Sequence, residues 1–411
     1  MLLSLFLILY FLFHLNKKYW WYLPSNHFFL INSISLLNCY YLIYDSKTKY
    51  YDLFSTNIFY SCILIISIVS SINININKLK KKSEVDFRSM SVFTNIFASL
   101  NFVLFIIFCL NIDFKLIFKN NEYLLMVNSE KMGISNELLS MYHKSLILNG
   151  MISLFLFGSS DKMNLTLQKK IMLLLTGLFS FIFNLGANSR ASGLILASLF
   201  LSVMLFRKHT LAKYIILTIL IFGVLLSYTV VIYGRGVDLQ GIGQILLNIN
   251  DMKYSNVFDD NFIIGNVFAG AWTFYEADRF NDFYPEMYKI LSFSPFPSSI
   301  DHFTDYIKYE KRLHEYIPYG ANSEIYKFGL MYIGLYFFLL YVILRQMNKS
   351  LIHNKLVGYL LCAPGYFYFI ANQQYPLRNY FRFFLLSGLL CFVYNNYQKL
   401  RKHEGAIFRR N

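Results

Sequence analysis

Apolar runs of about 16–22 residues recur along this chain, and each could cross about 30 Å of hydrocarbon as a helix. Inside lipid every backbone N–H and C=O must be satisfied within the chain, which leaves few folds open to such a sequence. Eleven segments qualify: 1–15, 28–44, 53–75, 91–112, 145–158, 171–187, 191–206, 214–233, 328–344, 356–372 and 379–396. The first is short, and polar residues interrupt the fifth, so the expected number is ten to twelve. Only 15% of the 411 residues are charged, against about a quarter in soluble domains. Mean hydropathy is +0.43. Many Tyr and Trp side chains sit at the ends of the runs, where an amphipathic ring suits the headgroup level. The expected fold class is an all-α polytopic membrane protein. The opening run, LLSLFLILYFLFHL, lacks a basic start and an A-x-A-like site, so it reads as a retained segment.

The net charge of +15 belongs to a membrane, not to nucleic acid. Six alternate connections, from Lys17–Lys18 to the tail with Arg409 and Arg410, hold 21 of the 38 basic residues. By the positive-inside bias these face the cytoplasm and its anionic lipids. The carboxyl terminus is then inside and, with eleven spans, the amino terminus outside. The opposite side carries one long connection, residues 234–327. It holds 13 of the 23 acidic residues and 8 basic ones. Within it GQILLNINDMKY and DFYPEMYKILSF read as short amphipathic helices. The expected organisation is a transmembrane bundle at 1–233, the loop at 234–327, further spans at 328–397 and a basic tail at 398–411.

Candidate site residues cluster on the outer side. FNLGANSRASG, 183–193, puts Arg190 in a short turn. The helix starting near Ala191 would aim its unpaired amides and positive dipole end at that turn. With Ser189 and Ser192 this suits a phosphate-like anion. Alternatively Arg190 snorkels to headgroups and only ends a hairpin. Arg235 lies between two glycines, and Arg279 lies in WTFYEADRF. Arg378 and Arg382 are four apart and share a helix face, so they are either an anion site or a snorkelling pair. For proton transfer the loop offers Glu276, Glu324, His302 and His314. There is no HxxxH or HExxH, no CxxC among five cysteines and no Gly-rich phosphate loop, so neither a metal nor a nucleotide cofactor is expected. In YGANSEIYKFGLMYIG, Glu324, Gly329 and Gly334 recur at five-residue spacing where the chain re-enters the membrane; the glycines would permit close helix packing.

The span pattern, the single dominant outer loop, the NSRASG turn and the loop end N-S-E-x-Y-x-x-F-G-x-x-x-x-G together resemble the O-antigen polymerase (Wzy) family. That resemblance implies a GT-C-like, metal-independent glycosyltransferase of the bacterial inner (cytoplasmic) membrane, with the large loop periplasmic. Its substrates would be undecaprenyl-diphosphate-linked oligosaccharide repeat units. Its partners would be membrane lipids and a chain-length regulator protein. Arg190, Arg235, Arg279, Arg378 and Arg382 would bind the diphosphate, and Glu276, His314 or Glu324 would take the proton of the attacking hydroxyl. The related O-antigen ligases often carry a histidine near the loop end, where this chain has His314 and Asn322. A ligase and a flippase for the same lipid-linked unit are the alternatives. The 94-residue loop argues against a flippase, while Arg382 inside a span is what a flippase would need.

Overall fold

The computed structural model describes residues 22–45, 53–72, 74, 87–112, 137–187, 189, 191–208, 210–236, 268–296, 298, 300–314 and 317–407. These residues form helices α1 (Pro24–Asp45), α2 (Phe54–Ile72), α3 (Phe87–Asn111), α4 (Glu137–Ser159), α5 (Leu167–Gly186), α6 (Ala191–Phe206) and α7 (Leu211–Gly236). They continue with α8 (Gly270–Asp278) and α9 (Glu286–Ser292), a 3-10 helix (Phe303–Tyr309), and the paired strands β1 (Arg312–His314) and β2 (Ile317–Pro318). Helices α10 (Ala321–Phe328), α11 (Leu330–His353), α12 (Lys355–Ala371) and α13 (Leu377–Ile407) complete them.

Ten of the eleven expected apolar segments fall on one of these helices; the first, 1–15, lies outside the described residues. Among the described residues five helices are long and apolar enough to cross a membrane: α2, most of α3, α5, most of α7, and α11. The chain is an all-α, membrane-embedded protein, with one two-stranded ribbon among the described residues. Two details differ from expectation. The fifth segment is one unbroken helix, because its polar residues bond back along it: the Ser145 hydroxyl donates to the Tyr142 carbonyl, and Asn149 donates to Ser145. The last helix runs on into the basic tail as far as Ile407. Of the two short helices expected in the loop, DFYPEMYKILSF contains α9, and GQILLNINDMKY lies outside the described residues.

The chain divides into two compact units, 86–263 and the pair of segments 1–85 with 264–411. In the first, small residues let α4, α5 and α6 approach closely. A Cβ on Gly150 would lie 2.6 Å from the Cβ of Ser180, and one on Gly158 would lie 2.8 Å from that of Ser202. Hydroxyls lock the contact: Ser198 donates to the Met151 carbonyl at 3.0 Å and Ser202 to the Phe155 carbonyl at 2.6 Å. In the second unit, α1, α2 and α10–α13 share an aromatic core with α8 and α9, including Phe28, Tyr60, Phe274, Tyr288, Tyr336 and Phe381.

The two re-entry glycines do not pack helices closely. A Cβ on either Gly329 or Gly334 meets nothing within 4 Å. Gly329 instead joins α10 to α11 at φ 98° and ψ 171°, a backbone region open essentially to glycine alone. Gly329→Ala is therefore expected to cost about 1–3 kcal/mol. Gly334→Ala, in the open interior of α11, should gain up to about 1 kcal/mol. Thermal midpoints of the two purified variants should move in opposite directions.

Candidate functional site

Helix α10 is short, but its sequence ANSEIYKF puts Ala321, Asn322, Glu324, Ile325 and Phe328 inside. Gly320 makes the close approach possible: a Cβ there would lie 3.1 Å from the Asn372 carbonyl, which accepts from the Ala321 N–H. Glu324 is fully buried. Its Oε1 accepts from the Tyr288 hydroxyl at 2.7 Å, and its Oε2 from the Leu377 backbone N–H at 2.8 Å. The second bond caps α13 from another element, with a carboxyl at the end of the helix where unpaired amides favour one. Burial pushes the Glu324 carboxyl up to about 8, against the pull of its Tyr288 and Leu377 bonds.

One residue pair back on the same helix, Asn322 joins a polar chain through the apolar interior. It donates to the Tyr60 hydroxyl at 3.1 Å and accepts from Tyr336 at 3.1 Å; Tyr336 and Tyr368 share a hydrogen bond of 2.8 Å. Beyond it, Gln373 donates to Asn372 at 2.7 Å and to Asn32 at 3.2 Å. Buried polar groups in such surroundings are costly unless bonded, so this network fixes how α10 seats on α1, α2, α11 and α12.

Helix α8 lies against α10, with Phe274 and Tyr326 ring centroids 4.9 Å apart. Lys327 donates to the Phe280 carbonyl at 2.6 Å, just past the end of α8. At the end of α8 two of the expected site residues meet, Glu276 on the helix and Arg279 at its cap. Glu276 accepts from Arg279 at 2.9 Å, and the same guanidinium donates to the Tyr275 hydroxyl at 2.9 Å. The side chains keep 21% and 31% exposure, so the pair is anchored yet reachable. Burial raises the Glu276 carboxyl above its ordinary range, and Arg279 opposes that rise.

Arg378 is buried, and both terminal nitrogens of its guanidinium are engaged, while its Nε has no hydrogen-bond partner among the described residues. Its guanidinium donates to the carbonyls of Leu291 (3.0 Å), Ser294 (2.5 Å) and Phe296 (2.6 Å) and pairs with Asp301. It also lies 5.0 Å over the Phe303 ring. Arg382, one turn on, is half-buried beside Phe383 and has no carboxylate partner among the described residues. His314 stands on β1 opposite Ile317, and His302 is exposed in a left-handed turn. Arg235 lies in the last turn of α7, whose helix runs through both flanking glycines. Arg190 lies outside the described residues. Beside it, the Ser189 hydroxyl accepts from the Ala191 N–H at 3.3 Å and so caps α6. The buried Ser192 hydroxyl and Asn184 Oδ1 have no hydrogen-bond partner among the described residues.

Sequence reasoning singled out Glu324 and the Glu276 and Arg279 segment. It missed Tyr288, Tyr60, Tyr336, Tyr368 and Asp301. The usable signal was a polar side chain at a mid-run position, such as Tyr336, which is expensive there unless it serves something. Compared with protein-family models, curated proteins and solved structures, the chain matches none.

Proposed function

We propose that the chain is an oligosaccharide polymerase of the membrane surface, acting on repeat units carried by a polyprenyl diphosphate. The observation that carries this reading is the Glu276 and Arg279 pair: a carboxylate of raised basicity and a guanidinium, 2.9 Å apart and both reachable, on a helix anchored to membrane-embedded helices. The chemistry needs little else, since the diphosphate is already a good leaving group. The acceptor hydroxyl oxygen attacks the anomeric carbon of the donor's reducing-end sugar. Glu276 takes the hydroxyl proton, the new glycosidic bond forms, and the bond to the diphosphate breaks with its electron pair leaving on phosphate oxygen. Arg279 and Arg382 neutralise the charge that grows there. His314 offers a second base near the loop end. Trp272, tilted against Tyr275 with ring centroids 5.8 Å apart, presents a partly open ring to sugars. Glu324 and Arg378, both buried, serve by holding α10 and the 291–301 segment in place.

The test is reconstitution with a lipid-diphosphate-linked repeat unit and no nucleotide. Longer lipid-linked chains and released lipid diphosphate are expected. Glu276→Gln should slow the reaction about 10²–10⁴-fold, with the protein's thermal midpoint little changed. Turnover equal to the parent would remove Glu276 from the mechanism. Transfer of the unit across the bilayer without any bond formation would indicate a flippase.

A further inference from the structure

We propose that residues 283–296, with Ile300 beyond them, are an in-plane membrane-interface element, whose exposed apolar side chains lie among lipid acyl chains just below the headgroups. Five large apolar residues stand open in this short stretch outside the apolar spans: Phe283 (77%), Met287 (48%), Ile290 (50%), Phe296 (57%) and Ile300 (63%). The opposite side of the stretch is core. Tyr284 and Tyr288 are buried against Phe328 at 5.1 and 6.0 Å between ring centroids. The open strip is therefore not a misfolded interior but a second face, and an apolar face of this extent calls for a partner.

The attachments of the stretch identify that partner. Tyr332, the third residue of the membrane-crossing helix α11, donates its hydroxyl to Glu286 on α9. Lys289 of α9 lies 5.7 Å over the Tyr332 ring, and the Phe293 ring stacks on it at 5.9 Å. With a rise of about 1.5 Å per residue, Tyr332 sits only about 3 Å into α11. The two residues before it, Leu330 and Met331, are 88% and 78% exposed, as lipid-facing residues at the start of a span would be. From the other side Arg378, at the start of α13, grips the carbonyls of Leu291, Ser294 and Phe296. The strip is thus pinned at the level where α11 enters hydrocarbon. An apolar face bordered at that level by the Lys289 and Glu286 ion pair and by the Tyr332 hydroxyl matches a phospholipid bilayer, apolar side chains inward and polar groups among the headgroups.

The experiment places a tryptophan at single positions in the full chain, in phosphatidylcholine liposomes with and without bromine on the upper acyl carbons. The emission added over the parent is read for Phe283→Trp, Ile290→Trp and, as an exposed polar control, Thr304→Trp. Bromine should quench the added emission at 283 and 290 about twofold or more and leave that at 304 nearly unchanged. Water-like, unquenched emission at 283 and 290 would overturn the proposal. Emission that is shielded from water yet unquenched would also overturn it, since a second copy or another protein would then cover the strip.

Discussion

Glu324→Ala is expected to destabilise the protein by about 3–5 kcal/mol, combining a buried cavity with two orphaned donors. The donors are the Tyr288 hydroxyl and the Leu377 N–H, and neither has room to reach water once α10 is seated. The loss should appear as a large drop in thermal midpoint of the purified protein. Glu324→Gln keeps the shape and an acceptor for Leu377, so it should cost far less. It should also change the pH dependence. The carboxyl is held at about 8 in the folded chain against an ordinary 4.5. Below the ordinary value both states carry the proton and nothing is lost. Between the two values the folded state keeps its proton while the unfolded chain releases it, so stability falls as pH rises, and the fall is complete above the folded value. The parent's midpoint should therefore drop between about pH 4.5 and 8, the window set by those two values. Glu324→Gln should remove that component of the slope, and an unchanged slope would contradict the buried neutral carboxyl.

Arg378→Ala should be comparably damaging, about 3–5 kcal/mol, because it strands the Asp301 carboxylate and three carbonyls in a site that keeps little water. Side-chain exposure of the pair is only 2% and 10%. Asp301→Asn, which leaves the cation its three carbonyls, should cost less. The Arg378→Met, Asp301→Leu double variant should lose less than the sum of its parts, since neither charge is then left alone. For Asp301, burial works to raise the carboxyl, but the Ser294 bond, the Arg378 charge and the Phe303 amide outweigh it and hold it below the ordinary carboxylate range. A depressed acid contributes stability above its unfolded value and loses it as pH falls through the folded one. Acid unfolding of the parent should accordingly include a step that Asp301→Asn lacks. Additive losses in the double variant would show that the two groups do not act as a pair.

The helices were legible because the apolar runs are long and separated by basic clusters. Glu324 was legible as a lone acid in a re-entry segment. Its bonding was not, since Tyr288 and Leu377 lie 36 and 53 residues away. The tyrosine chain was hidden for the same reason: Tyr60, Tyr336 and Tyr368 sit on three helices, and nothing in the sequence ties the three together. The spacing of Arg378 and Arg382 gave their shared face but not their different fates. Asp301, which occupies the first, is 77 residues distant. Gly329 and Gly334 looked equivalent at regular spacing, and only the backbone angle separates the glycine the turn requires from the one the helix merely tolerates.

The measurement that bears most directly on the proposed polymerase is a gel of surface polysaccharide from cells lacking the gene. A polymerase predicts that long chains vanish and that a single repeat unit remains on the surface glycolipid, with Arg190→Ala reproducing the pattern at normal protein level. Surface glycan stripped of every repeat unit, or long chains persisting unchanged, would contradict it.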